Sequence, residues 1–450
     1  MNTPNQTNPD FISPYKMNSV NFPLKDETYL SDMDVPAHEP NATQSNNFQA
    51  SFTLLKCFIG AGILALPYSF YLVGITPAIL MMLFIGVLTY YCATLLMKVA
   101  DEMKGIRLET MAYDVLGKWG MYSVEISVSL HQFGTSTATL IFGIKFLNYL
   151  VCNLGFESVC DNVPFEILVC VIVVIPLSMI NNLHWFYIPS IASSVLALTG
   201  ISTQMSHDID LIQQNSKVHE FLLDNIFKFN VSNFPLFIGV AVYLFEGMGT
   251  FFNIRAAMAT PTDFTMLLKY QMTAVVLLFI VFASTCYLAL GDNIPGIVLF
   301  SLPVKGYYIW IVGLYAIAVL LGYPLRLFPL LKIMENSNFL KSRIFDERLR
   351  TKNPLLRYGL RVILTFLMLV VVFTAKSLNL FLSFVGSCIS TYLAFILPIL
   401  MYNKYFSKTI SNKKRNFNNL SLIVGLTMGA FGVVVSLADM LGLRDGPPIH

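Results

Sequence analysis

"KCFIGAGILALPYSF", Lys56–Phe70, sits inside an apolar run that begins at Phe52 and ends at Val73. A run of that length can cross a bilayer, which takes roughly 20 apolar residues as a helix. Yet it carries Gly60, Gly62 and Pro67 near its middle. Glycine weakens a helix and proline removes a helical hydrogen bond, so the pattern predicts two half-helices with an unwound joint. In hydrocarbon, such a joint leaves backbone N–H and C=O groups without partners. It is tolerated where it lines a cavity, and there freed amides attract a carboxylate and freed carbonyls attract a cation. The same small residues also suit a close helix-packing face, so the stretch alone leaves both readings open.

The rest of the chain supplies the setting. Of 450 residues, 55% are hydrophobic and only 12% charged, and the mean hydropathy is +0.64. A soluble chain carries about a quarter charged residues, so this one reads as an all-α, multi-pass membrane protein. The net charge of +3 offers no basic surface for nucleic acid. Most of the 7 cysteines (Cys57, Cys92, Cys170, Cys286, Cys388) lie in apolar runs and read as small core residues. Nothing has the spacing of a metal site, and no cofactor is expected. Residues 1–47 are rich in Asn, Pro, Ser and Asp and read as a disordered tail. Residues 48–442 form the membrane domain, and 443–450 a short C-terminal tail.

Eleven stretches are candidate spans: Phe52–Val73, Thr76–Lys98, Met121–Val151, Pro164–Asn181, Trp185–Met205, Phe234–Met258, Leu268–Leu290, Tyr307–Leu327, Leu360–Ala375, Leu378–Tyr402 and Leu420–Leu441. Lys and Arg concentrate in the even-numbered loops, including Lys98–Lys118, Arg326–Arg361 and Lys404–Arg415. The odd-numbered loops hold only Lys217, Lys228, Lys305, Lys376 and Arg444. This bias predicts a cytosolic N-terminus and a C-terminus on the far side. The sequon at Asn230–Ser232, a glycosylation candidate at Asn230, falls in a far-side loop. Cys152 and Cys160 fall there too, as a disulfide candidate in an oxidising lumen.

A second break answers the first. The sixth span reads "LFIGVAVYLFEGMGTFF", with Gly247 and Gly249 beside an embedded acid, Glu246. A carboxylate inside a span is costly and marks a functional position by default. Gly-x-Gly interruptions in the first and sixth spans are what an inverted five-plus-five repeat predicts, and they favour transport over simple packing.

At this point the residues resemble a family. "KCFIGAGILALPYSF", "FPLFIGVAVYLFEGMG", "YLALGDNIPGIVLFSLP" and "LFLSFVGSCISTYLAFILPILMY" look like the amino acid/auxin permease family, closest in flavour to its proton-coupled amino acid transporters. The resemblance covers residues 48–442. It implies eleven helices in the fold of the bacterial leucine transporter and secondary active transport of amino acids. It implies substrate contacts at Gly60, Ala61, Gly62 and Ile63 on the first break, and at Phe245, Glu246 and Gly249 on the sixth. The third span matches in outline through Gln132 and Gly134. Two departures stand out. "FFNIRAAM" places Arg255 where the family shows an acidic, Asn-containing end, and the first span lacks the histidine of proton-coupled relatives.

Other polar residues inside spans divide into functional and structural candidates. His131 suits a proton relay, its reference pKa being about 6.5, or a hydrogen-bonded packing role. Glu246 and His131 are the proton-coupling candidates. Lys145 is expected to snorkel, Glu125 to pair with a base, Asp439 to lie at an interface, and Arg326 to mark the cytosolic end of the eighth span. Sodium-coupled members of this fold hold a sodium between carbonyls of the first break and hydroxyls of the eighth span. Here "YYIWIVGLYAIAVLLGYPLRLF" contains no Ser or Thr, so no sodium dependence is expected. The reading is a transporter of amino acids, neutral ones and proton-coupled, in a plasma or vacuolar/lysosomal membrane. Its alternative is an amino acid sensor on the same fold that signals through the tail. An enzyme is not expected, since no paired acids or nucleophile elbow appear.

Overall fold

The computed structural model describes residues 46–103, 107–155, 160, 162–179, 187–215, 218–304, 306–336, 345–346, 351–352, 354–375 and 377–444. The expected tail lies outside these residues apart from its last two. The first helix, α1 (Asn47–Phe58), opens on a capping box, in which Asn46 caps the first turn and Gln49 Oε1 accepts from the Asn46 amide at 3.2 Å. It ends at Ile59, whose extended backbone (φ −83°, ψ 91°) leaves the helix. A 3₁₀ turn, Ala61–Ala65, then leads into α2 (Leu66–Val73). Pro67 stands in the first turn of α2, where a missing N–H leaves no helical bond unmade. The two halves are bent by 44°. Gly74 follows with φ 105°, and a Cβ there would lie 2.0 Å from the Lys228 carbonyl oxygen, so only glycine fits.

The remaining elements follow the sequence pattern. They are α3 (Ile75–Met103), α4 (Leu108–Leu116), α5 (Lys118–Asn153), α6 (Val163–Ser178), α7 (Tyr187–Gln214) and α8 (Val218–Asn225), then α9 (Phe234–Phe245), α10 (Met248–Ala257) and α11 (Phe264–Leu290). After these come α12 (Tyr308–Asn336), α13 (Pro354–Thr374), α14 (Leu378–Val385), α15 (Leu397–Tyr405) and α16 (Asn412–Leu441). Two π-helical turns, Gly386–Ser390 and Tyr392–Ile396, join α14 to α15. A two-residue antiparallel pair, Phe345–Asp346 with Thr351–Lys352, is the sole strand structure among the described residues. The described residues of every expected span fall almost wholly on helix. Eight helices among the described residues, or nine with the bent α1–α2 pair, are long and apolar enough to cross a membrane. The fourth and fifth stretches are not among them. The described part of the fourth, α6, has 16 residues, and the last turns of α7 carry His207, Asp208 and Asp210.

The broken helices pack crosswise. The first half α1 meets α10 through Phe58 and Phe251 (ring centroids 6.0 Å apart), and α2 meets α9 through Phe70 and Phe237 (5.7 Å). Small residues allow the tightest crossings, as they must where lipid supplies no hydrophobic drive between helices. A Cβ on Gly386 would lie 1.9 Å from the Gly239 carbonyl oxygen, so α9 touches the α14 end backbone to backbone. A Cβ on Gly143 would lie 2.6 Å from Leu320, which seats α12 along α5.

Several charged groups near the helix ends are paired. Arg361 is fully buried and donates to the Ser178 carbonyl at 3.0 Å and to Glu335 Oε1 at 3.3 Å, while Arg357 donates to the same oxygen at 2.8 Å. These bonds tie α6, α12 and α13 together, and two residues read above as loop charges are thus structural. Arg255 on α10 pairs with Asp101 at the end of α3. Cys152 and Cys160 are joined by a disulfide, with Cα atoms 4.8 Å apart. Asn230 is exposed, and Arg444 holds the neighbouring Ser232 and Asn233.

Candidate functional site

The second break begins where α9 stops. Glu246 takes an extended backbone (φ −74°, ψ 129°), and its Oε1 accepts from the Met248 amide at 3.1 Å, capping the start of α10. Its other oxygen, Oε2, lies 3.0 Å from His131 Nε2 of α5. That approach is an ion-pair contact whose angles miss those of a hydrogen bond. Both side chains are nearly out of solvent, 4% exposed for Glu246 and 8% for His131. The two residues singled out separately in the sequence are therefore one unit. A buried acid facing a buried imidazole can share or exchange a proton with little movement of either side chain.

The first break lies against the second. A Cβ on Gly62 would sit 2.9 Å from Leu244 Cδ2 and 3.0 Å from Tyr243 Cε1, so backbone meets the last turn of α9 directly. The Tyr243 ring in turn lies 6.2 Å from the His131 ring, centroid to centroid. Ile63 is fully buried. The Gly62 amide lies in the first turn of the short helix and, among the described residues, donates to no backbone carbonyl. Phe245 points elsewhere. It is fully buried with its ring 5.6 Å from that of Phe279 on α11, a packing position. Gly249 is roomy, since a Cβ there would come no closer than 3.8 Å to Val128. The structure thus brings together Gly62, Glu246 and His131 through Tyr243, and sets Phe245 apart.

Arg326 is a correction. It does not mark the end of α12, which continues to Asn336. From mid-helix it reaches the first break, where its Nη1 donates to Thr139 of α5 and its Nη2 would lie 2.8 Å from a Cβ on Gly60. The misreading has a cause. Arg326 follows "GYP", Gly322–Pro324, which suggests a helix end, but that proline stands inside the helix. The available signal is that "LFPLL", Leu327–Leu331, continues the apolar run past the arginine. Thr139 and Tyr243, which complete the site, carry no sequence signal of their own.

Other expectations resolve plainly. Glu125 pairs with no base among the described residues, and Lys145 is exposed. Asp439 is buried and lies 3.7 Å from Arg444 Nη1. No group of His, Cys, Asp and Glu among the described residues is arranged to hold a metal.

Comparison with known proteins bears on what this arrangement is. Residues 43–441 match the family described as transmembrane amino acid transporter protein. Vacuolar amino acid transporter 4 of Saccharomyces cerevisiae is 28% identical over 372 residues, covering 78% of this chain and 51% of the relative. Vacuolar amino acid transporter 3 of Schizosaccharomyces pombe is 28% identical over 361 residues, covering 80% and 53%. Amino acid transporter ANT1 of Arabidopsis thaliana is 21% identical over 411 residues, covering 88% and 93%. The chain thus spans about half the length of the two fungal relatives. With a family match across nearly the whole membrane domain, two facing helix breaks and a buried acid–imidazole pair between them, this chain belongs to the family of transmembrane amino acid transporter proteins.

Proposed function

We propose that this chain moves amino acids across a membrane by secondary active transport, with protons as the coupling ion. The observation that carries the reading is the buried His131–Glu246 contact beside the two breaks. Transport needs a site in the membrane interior whose groups change state between its two sides. In this reading the unwound backbone around Gly60–Ile63 binds the substrate, chiefly through the Gly62 amide, and the half-helices on either side of each break rock about it. The crosswise packing of α1 on α10 and α2 on α9 supports an inverted repeat with paired moving halves.

Proton coupling rests on three points. A proton needs one titrating group, and the His131–Glu246 unit provides two in contact. A sodium ion would need several oxygen ligands, and "YYIWIVGLYAIAVLLGYPLRLF" offers no Ser or Thr hydroxyl. The Arg326 guanidinium beside Gly60 adds a fixed positive charge that repels a cation there. Neutral amino acids are the proposed substrates, because the buried acid is already engaged with His131.

The basic loops support a cytosolic N-terminus, and moving Arg326 out of the loop tally leaves their bias intact. The names of the fungal relatives support a vacuolar membrane. The disulfide Cys152–Cys160 and the exposed Asn230 suit the lumenal side. The test is uptake of each of the twenty amino acids into liposomes holding the purified protein. Uptake of at least one, raised by an inward proton gradient, is expected. Tight binding of an amino acid with no flux under any gradient would instead favour a sensor.

A further inference from the structure

Arg326 has more donors than the protein uses. A guanidinium carries five N–H groups. Thr139 takes one, and no carboxylate lies within ion-pair distance of Arg326 among the described residues. Glu246 is committed to His131 and the Met248 amide. Among the described residues, the Arg326 guanidinium therefore sits at the Gly60 end of the first break with no acid against it. Placing a charged group in a membrane interior is costly unless an opposite charge or several hydrogen bonds offset it. A guanidinium fixed at one nitrogen and open at the others matches a carboxylate, whose two oxygens accept two parallel N–H bonds. The absence of a side chain at Gly60 is what gives Nη2 its place, since a Cβ there would come within 2.8 Å of it.

We propose that Arg326, reaching in from α12, binds the α-carboxylate of the transported amino acid at the Gly60 end of the break. The assignment rests on the amino acid reading given above. In it, Thr139 is a positioning residue that holds Nη1 and leaves the opposite edge of the guanidinium toward the break. The rival role is a structural tether between α12 and α5, which would be blind to the charge on the substrate.

The two roles separate in a competition experiment. Uptake of each transported amino acid into proteoliposomes is competed by the same amino acid and by its carboxamide, which keeps the amine and side chain but lacks the negative charge. For wild type, the acid is expected to compete at least about tenfold better than the amide, the scale of a charge-assisted hydrogen bond. In Arg326→Gln the ratio should fall toward one, and Arg326→Lys should restore part of it. Gly60→Ala, which pushes a methyl against Nη2, should also lower the ratio, and it carries the comparison if Arg326→Gln does not fold. A wild-type ratio near one overturns the proposal without any variant. A folded Arg326→Gln that transports with the acid preference intact overturns it while leaving the transport reading standing. If wild type takes up none of the twenty amino acids, the transport reading fails and this assignment falls with it.

Discussion

The two helix breaks are alike in sequence and opposite in charge. Each is a Gly-x-Gly step in an apolar run, and each leaves a half-helix starting inside the bundle. The second break carries its own charge: Glu246 caps the helix that follows it and faces His131 from α5. The first break carries no titratable side chain within Gly60–Ala65. It receives a guanidinium from α12, held by Thr139 of the same α5. His131 and Thr139 are eight residues apart, about 12 Å along the helix. One helix therefore presents an imidazole to the acidic break and a hydroxyl to the basic one. The contrast suggests a division of labour, with the proton handled at the second break and the substrate's negative end at the first.

The sharpest way to break this comparison is at the acidic side. Glu246→Gln keeps the shape and the acceptor for the Met248 amide but removes the charge facing His131. Uptake should drop by roughly tenfold or more, a loss of about 1.4 kcal/mol or greater, and its pH profile should flatten. An unchanged profile in a folded protein would reduce Glu246 to a helix cap. On the basic side, Gly62→Val drives a branched side chain into Leu244 and Tyr243, where even a Cβ would lie at 2.9 and 3.0 Å. Overpacking of this kind costs about 1–3 kcal/mol. Uptake should be lost and thermal stability reduced, and near wild-type uptake would mean that the two breaks do not meet as described. Gly249→Ala is the control on the same break as Glu246. A methyl there meets no protein atom closer than 3.8 Å, so a folded protein with an unshifted melting temperature is expected. Breaking the Arg255–Asp101 pair with Asp101→Asn should be the mildest change. Asp101 is 53% exposed, and such pairs contribute about 0–1 kcal/mol, so a melting temperature shifted by only a few degrees would fit.

What the sequence made legible was local, and what it hid was relational. The breaks could be read because Gly60, Gly62 and Pro67 act on the backbone where they stand. The helices could be read because apolar runs are contiguous, although the polar end of α7 blurred the fifth. The pairing of His131 with Glu246 joins residues far apart in sequence, and no periodicity encodes it. Arg326 shows the same limit more clearly. Its position in the chain just after Gly322–Pro324 suggested an exit from the membrane, whereas its direction follows from the packing of α12 along α5 at Leu320 and Gly143. Phe245 illustrates the converse. It stands next to Glu246 in sequence but faces α11, because the last helical residue before a break still points where the helix face dictates.

The most direct test of the central claim is concentrative uptake in proteoliposomes with choline as the external cation and an imposed proton gradient, acid outside. The account predicts that amino acid accumulates inside above its external concentration, that collapsing the gradient with a protonophore abolishes the accumulation, and that adding sodium changes nothing. Accumulation that ignores the protonophore and requires sodium would contradict it, and would move the coupling ion away from the His131–Glu246 contact.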